Sequence, residues 1–305
     1  DKTGYTSNIH AQAIFKKQSK TIGLMIPNIL NPFFNEVITY VEDKVVKKGY
    51  SVLLCNTGDD IEKERIHLDM LKRYRVDGII AARSLCREEY KGINIPIVSF
   101  ENYIKDDVPI VTADNYNGGR LAFEHLYNQG CRKILNINGP KMFDATVARS
   151  KGFMDAAKKH GIEVSVLDSE TDFRYDMILN NSESFIKEVI KYDGIFVFND
   201  VSCANIMNTI LSYGIKIPED IKLMGFDNAY ISTMVKPNLT TIAQPVESIA
   251  NLAVDILMDM ILNHTKHKLI NLIDVELVTR ESTAKKSNKI IGGVLWANFS
   301  KMYLK

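Results

Sequence analysis

Carboxylates, amides and aromatic rings recur in one kind of position along this chain, just after short apolar runs. Asn31-Pro32-Phe33-Phe34, Glu101-Asn102, Asp114-Asn115, Phe173, Asn199-Asp200, Asp227-Asn228 and Gln244 stand there, with Arg149 near the start of a helical stretch. Aromatic faces pack on C–H groups, and rim hydroxyls need both donors and acceptors, so this set suits a polyhydroxylated ring. Catalysis finds no support. No nucleophile–base–orienter order is visible, and Gly118-Gly119 belongs to no phosphate loop. The six histidines show no metal spacing. Pairs such as Asp59-Asp60 and Asp106-Asp107 read as solvated loop charges. The chain is expected to bind a ligand, not to transform one, and to need no metal or cofactor.

Such a set must be held by elements that place strand ends together. From residue 20 onward, apolar runs expected as strands (21–27, 51–55, 78–81, 97–100, 110–112) alternate with helical stretches. The first helix carries Phe34, Val37, Ile38, Val41 and Val45 on one face, and Gly49 is placed to stop it. After Asp114 the rhythm restarts, with strands expected at 133–137, 163–167, 194–198, 221–225 and 271–278. Helices are expected at 119–129, 147–160, 185–191, 201–213 and 246–262. Strand–helix alternation implies right-handed crossovers and parallel sheets. Two similar blocks imply an α/β protein of two doubly wound lobes with a cleft between them, where strand carboxyl ends put ligands.

Composition agrees with a folded, water-exposed protein. The 305 residues are too many for one core; 46% are hydrophobic and 25% charged, and no apolar run reaches the length of a spanning helix. Four scattered cysteines (Cys55, Cys86, Cys131, Cys203) read as buried small residues in a reducing compartment. The net charge of +1 supplies no global basic field, so any contact with nucleic acid must be local. The first 20 residues contain no signal-like stretch, which points to the cytoplasm, and a chain opening at Asp1 reads as part of something longer.

The residues resemble one family along about 5–283. Tyr5, Asn8, Ala11, Ile14, Ser19 and Ile22-Gly23 resemble the hinge of the lactose/galactose repressor family. The likeness continues through Asn31-Pro32-Phe33-Phe34, Val76-Asp77-Gly78, Asp114-Asn115 with Gly118-Gly119, Ala148-Arg149 with Gly152-Phe153, Phe198-Asn199-Asp200, Gly225-Phe226-Asp227, Leu239 to Gln244, and Arg280 to Thr283. Each motif alone is weak; their order is specific. The resemblance implies a transcription repressor with periplasmic-binding-protein-like lobes, working as a homodimer on operator DNA and answering a small carbohydrate. By the resemblance, Asn31, Phe33, Phe34, Glu101, Arg149, Phe173, Asn199, Asp227 and Gln244 line the effector cleft. Glu101 stands where ribose binders of this fold carry Asp, and Asn102 where they carry Arg. A transport-associated sugar-binding protein and a purine-responsive repressor remain the alternatives.

The hinge residues Asn8, Ala11, Ile14 and Lys17 are expected to meet DNA, with Ile14 as a minor-groove wedge and the lysines on phosphates. Implied boundaries are 1–20 for the hinge, 21–114 plus 245–270 for one lobe, 115–244 plus 271–283 for the other, and 284–305 for a tail of no assigned role. Several site residues carry a plainer alternative. Asp227 also suits the cap of a helix over 228–234, and Arg149 an ordinary helix surface. Of Asn199 and Asp200, Asn199 is expected to bind and Asp200 to cap. Phe34 begins the core stripe, so Phe33 is the expected stacking ring, and Arg149 is the sole cation of the set.

Overall fold

The computed structural model describes residues 18–169 and 182–284. Each buried apolar run becomes a strand and each amphipathic stretch a helix covering it. The first lobe opens with β1 (Thr21–Ile26), α1 (Pro32–Lys47), β2 (Ser51–Asn56), α2 (Ile61–Tyr74), β3 (Gly78–Ala81), β4 (Ile97–Phe100) and β5 (Ile110–Ala113). The second carries α3 (Asn115–Asn128), β6 (Ile134–Asn138), α4 (Asp144–Lys159), β7 (Val164–Asp168), α5 (Ser182–Val189), β8 (Gly194–Val197), α6 (Asp200–Ser212), β9 (Lys222–Asp227), α7 (Ile231–Met234) and β10 (Thr240–Ala243). The chain then returns to the first lobe with α8 (Val246–Asn263) and β11 (Ile270–Ile273), and to the second with β12 (Glu276–Val278).

Two six-stranded sheets result, ordered β11-β5-β4-β3-β1-β2 and β12-β10-β9-β8-β6-β7. Every pairing is parallel except β10 with β12. The lobes therefore repeat one plan, down to a shared device at the sheet's entrance. Asp77, just before β3, accepts the amides of Ser19 and Lys20 at 2.8 and 2.9 Å. Asp193, just before β8, accepts those of Arg132 and Lys133 at 2.9–3.0 Å. In each lobe one carboxylate satisfies amides just before the strand next to the sheet's edge, β1 in one lobe and β6 in the other.

The stretch expected as one strand over 271–278 is two. Ile270–Ile273 pairs with Ile110–Ala113 in the first sheet, and Glu276–Val278 pairs with Thr241–Ala243 in the second. The passage between sheets thus falls after Ile273 and not before residue 271. With the passages after Ala113 and Ala243, it makes three crossings between the lobes. Helices α3 and α4 also start a turn earlier than expected; at α3, Asp114 accepts the Asn117 amide at 2.9 Å and caps the helix. On α1, Phe34, Val37, Val41 and Val45 are buried as their spacing requires, whereas Ile38 is only partly so; α8 closes over that face and over β3 to β5. The four cysteines are unbonded and buried. Among the described residues no helix is long and apolar enough to cross a membrane.

Candidate effector-binding site

Both sheets point their carboxyl ends at one cleft, a space of about 360 Å³ partly continuous with solvent. The first lobe lines it with Asn31, Phe33, Phe34, Arg83, Glu101 and Asn102, the second with Phe143, Ala145, Thr146, Arg149, Phe198, Asn199 and Asp227. Seven of the nine expected residues are thus brought together: Asn31, Phe33, Phe34, Glu101, Arg149, Asn199 and Asp227. Gln244 stands against Asp227 and is not part of the cleft wall. Phe173 and the hinge residues Asn8, Ala11, Ile14 and Lys17 lie outside the described residues.

Arg149 is the hub of the second lobe's wall. Its place depends on a close crossing of α3 and α4: a Cβ at Gly119 would stand 1.9 Å from the Arg149 carbonyl oxygen, and one at Gly152 1.9 Å from that of Tyr116. Backbone therefore meets backbone. This brings Asn115, at the start of α3, within reach of the guanidinium. Asn115 anchors its own amide on the Ala113 carbonyl and the Thr112 hydroxyl, and its Oδ1 accepts Arg149 Nε at 2.7 Å. Nη1 donates to the Phe198 carbonyl at 2.7 Å, and the guanidinium lies 3.7 Å from the Phe226 ring centroid. So fixed, it faces Asp227 at 3.6 Å and, across the cleft, Glu101 at 3.8 Å. Arg149 is 4% exposed, which removes the ordinary surface-arginine reading.

Asp227 is not a helix cap; the helix that follows starts only at Ile231. Its carboxylate accepts Gln244 Nε2 at 2.8 Å, and its backbone sits at φ +111° with Asn228 at +59°. That left-handed turn is tied down from beneath by Asp200, which accepts the Ala229 amide at 3.0 Å and the Thr241 hydroxyl at 2.7 Å. Thr241 Oγ1 in turn accepts the Asn228 amide. Gly225 makes room, since a Cβ there would stand 2.2 Å from Asp200 Oδ1. Burial, and then the neighbouring Asp227 carboxylate, hold the Asp200 carboxyl well above the usual carboxylate range.

The expected division of labour between Asn199 and Asp200 is therefore corrected. Asn199 Oδ1 accepts the Ser202 amide at 2.8 Å, so Asn199 is the cap of α6 while also lining the cleft; Asp200 is wholly buried. The first lobe repeats this arrangement, with Asn31 Oδ1 accepting the Phe33 amide at 3.1 Å to cap α1. Phe33 and Phe34 both reach the cleft, edge to face with centroids 5.2 Å apart, so neither is reserved for the core. Two of the buried polar atoms that lack hydrogen-bond partners stand at the site: Asn102 Nδ2 on the cleft wall and Gln244 Oε1 beside Asp227.

A second cation corrects the expectation of one. Arg83, 8% exposed, is clamped by Asp59 through Nε at 3.0 Å and Nη2 at 2.7 Å. It follows β3 as the other site residues follow their strands, and that position was the available signal. Phe143, Ala145 and Thr146 come from the N-cap and first turn of α4, where no strand end marks them. The motif from Arg280 to Thr283 serves the sheet: Arg280 holds Asn228 and the Leu239 carbonyl, and Ser282 accepts the Thr240 amide.

Residues 123–283 match the periplasmic binding protein-like domain. The chain is 36% identical to a ribose operon repressor of Halalkalibacterium halodurans over 93% of its own length and 86% of that protein's. It is 33% identical to a sucrose operon repressor of Streptococcus mutans, covering 92% and 86%. Among solved structures it matches a periplasmic binding protein/LacI transcriptional regulator from Alkaliphilus metalliredigens in complex with D-xylulofuranose, with a TM-score of 0.83, 45% identity, and coverage of 87% and 99%. The chain belongs to the lactose/galactose repressor family and comprises its effector-binding, periplasmic-binding-protein-like part.

Proposed function

We propose that this chain is the effector-sensing core of a carbohydrate-responsive transcriptional repressor, a regulator and not an enzyme. A small neutral sugar of pentose or hexose size closes the two lobes on each other. In the intact protein, a cytoplasmic homodimer, the hinge at 1–20 carries that change to operator DNA, so sugar and DNA are linked reciprocally. The relatives named for ribose and sucrose operons, and the neighbour bound to a furanose, support this class of effector.

The observation that carries the sugar reading is the wall itself. Aromatic rings (Phe33, Phe34) face amides (Asn31, Asn199) and a charge-balanced group, and the buried Asn102 Nδ2 lacks an acceptor. A hydroxyl can accept from that nitrogen while donating to Asp227 or Glu101. A sugar phosphate suits the site poorly: the two guanidinium groups are already faced by three carboxylates, Asp59, Glu101 and Asp227. Calorimetry of the purified chain with D-ribose, D-xylulose, D-fructose, ribose 5-phosphate and hypoxanthine tests the reading. Binding of a neutral sugar is expected; binding of hypoxanthine alone assigns the cleft to purines, and binding of the phosphate alone overturns the charge argument.

A further inference from the structure

Beside the Arg149–Glu101 approach, the lobes touch along one side of the cleft through two neighbouring residues of the second lobe, Phe143 and Asp144. The Arg83 guanidinium lies 4.0 Å from the Phe143 ring centroid. Next to it, the Asp144 carboxylate receives the Tyr103 amide at 3.0 Å and Arg87 Nη2 at 3.2 Å, and the Asp144 amide donates to Asn102 Oδ1 at 2.6 Å. Arg83 and Phe143 are both buried and both line the cleft; Arg87 and Asp144 are half exposed and lie outside its lining. The first pair is thus an inner wall and the second an outer strap.

The geometry points to the Arg83–Phe143 contact as a size filter, which limits the cleft to effectors of one sugar ring and excludes disaccharides. This rests on the sugar reading above and adds what decides among sugars. The cleft is narrow as it stands, with an enclosed volume of about 30 Å³ between its walls, so a larger ligand must displace a wall. The opposite wall, built on Arg149, is pinned by hydrogen bonds within its own lobe and cannot recede. A second ring on that side would have to separate Arg83 from Phe143. Arg83 cannot swing away cheaply, because Asp59 grips its fork at two points and a lone buried cation would remain. Rejection of the larger ligand therefore comes from the contact that must be broken to admit it.

The test is calorimetry of D-xylulose, D-ribose, sucrose and cellobiose on the wild-type chain and on Phe143→Ala, Arg83→Ala and Arg87→Ala. The wild type should favour a pentose over both disaccharides by about a hundredfold or more. Phe143→Ala and Arg83→Ala attack the wall from opposite lobes, so a folding defect in one leaves the other informative. Each should narrow that preference about tenfold through a gain in disaccharide affinity, not merely a loss for the pentose. Arg87→Ala loosens the strap alone, weakening every sugar alike and leaving the ratio unchanged. Disaccharide binding by the wild type as tight as pentose binding overturns the filter and spares the sugar reading. An unaltered ratio in both wall variants does the same. A wild type that binds neither these four nor D-fructose overturns the sugar reading and the filter with it.

Discussion

The two walls of the cleft are built from the same fold plan but from different materials. The second lobe presents a closed hydrogen-bonded unit: Asn115 orients Arg149, Gln244 holds Asp227, and Asp200 pins the turn that carries Asp227. The first lobe presents ring faces, a helix cap and the Asp59–Arg83 clamp. Polar recognition groups are costly to misplace and so are fixed in advance by their own neighbours. Apolar faces are non-directional and tolerate the approach and withdrawal that a closing lobe requires. The comparison assigns orientation of the ligand to the second lobe and coverage to the first. Mutations should separate the two.

The largest effect is expected at Gly152. An alanine there puts a methyl group 1.9 Å from the Tyr116 carbonyl oxygen, so α3 and α4 must part and the hub is lost. Gly152→Ala should cost more than about 4 kcal/mol, read as loss of the cooperative unfolding transition or of soluble protein. Arg149→Met follows. It leaves Asp227 and Glu101 facing each other across a buried site, which should cost about 3–5 kcal/mol in denaturant unfolding and abolish measurable sugar binding. Stability unchanged in either variant would contradict a prefixed second wall.

Asp227→Ala removes a ligand group without removing the hub. It should cost about 1–3 kcal/mol of sugar binding, or about 5- to 150-fold in Kd by calorimetry. Asp200 acts beneath it, through pH. Its folded-state carboxyl titrates well above its ordinary value of 3.8, so above that pH the folded chain holds a proton the unfolded chain has lost. The stability this supplies is complete below the ordinary value and declines as pH rises through the window up to the raised one. Asp200→Asn should flatten that decline by up to about 1.4 kcal/mol per pH unit, read from urea midpoints between pH 4 and 8. Parallel slopes for wild type and variant would show Asp200 ionised in the fold.

These contrasts explain which parts were legible in the sequence. Runs such as Thr21–Ile26 and Gly194–Val197 are apolar because both faces are covered, and that alone placed the strands and their carboxyl ends. From the strand ends came Asn31, Glu101, Asn199 and Asp227, while Arg149 was read from the start of a helix. The break between β11 and β12 left no mark, because Asp274-Val275 contains no glycine or proline to signal a change of sheet. Asn199 took the cap in place of Asp200 because one step along a helix turns a side chain by about 100°, a rotation composition does not record. Arg83 stood at a strand end that was passed over, whereas Phe143 was missed because its meaning lies in a contact between lobes, and only the assembled fold joins residues 60 apart.

The smallest expected effect sharpens the comparison most finely, because the lobes share the group being tested. Asn31 and Asn199 each cap a helix through Oδ1 and each line the cleft. Alanine at either position removes cap and contact together, and should cost about 1 kcal/mol of stability in both lobes. Aspartate separates the two roles: its carboxylate still accepts the Phe33 or Ser202 amide, while the side-chain N–H groups that can reach a ligand are gone. Asn199→Asp adds a charge to the wall that holds Asp227, so sugar affinity should fall by about 1 kcal/mol or more with stability nearly kept. Asn31→Asp stands among the rings of the covering lobe and should lose less. The measurement is paired: Kd for D-xylulose by calorimetry beside the thermal midpoint, for all four variants. A larger affinity loss at Asn31 than at Asn199, at equal stability, would reverse the assignment and make the first lobe the one that orients the ligand.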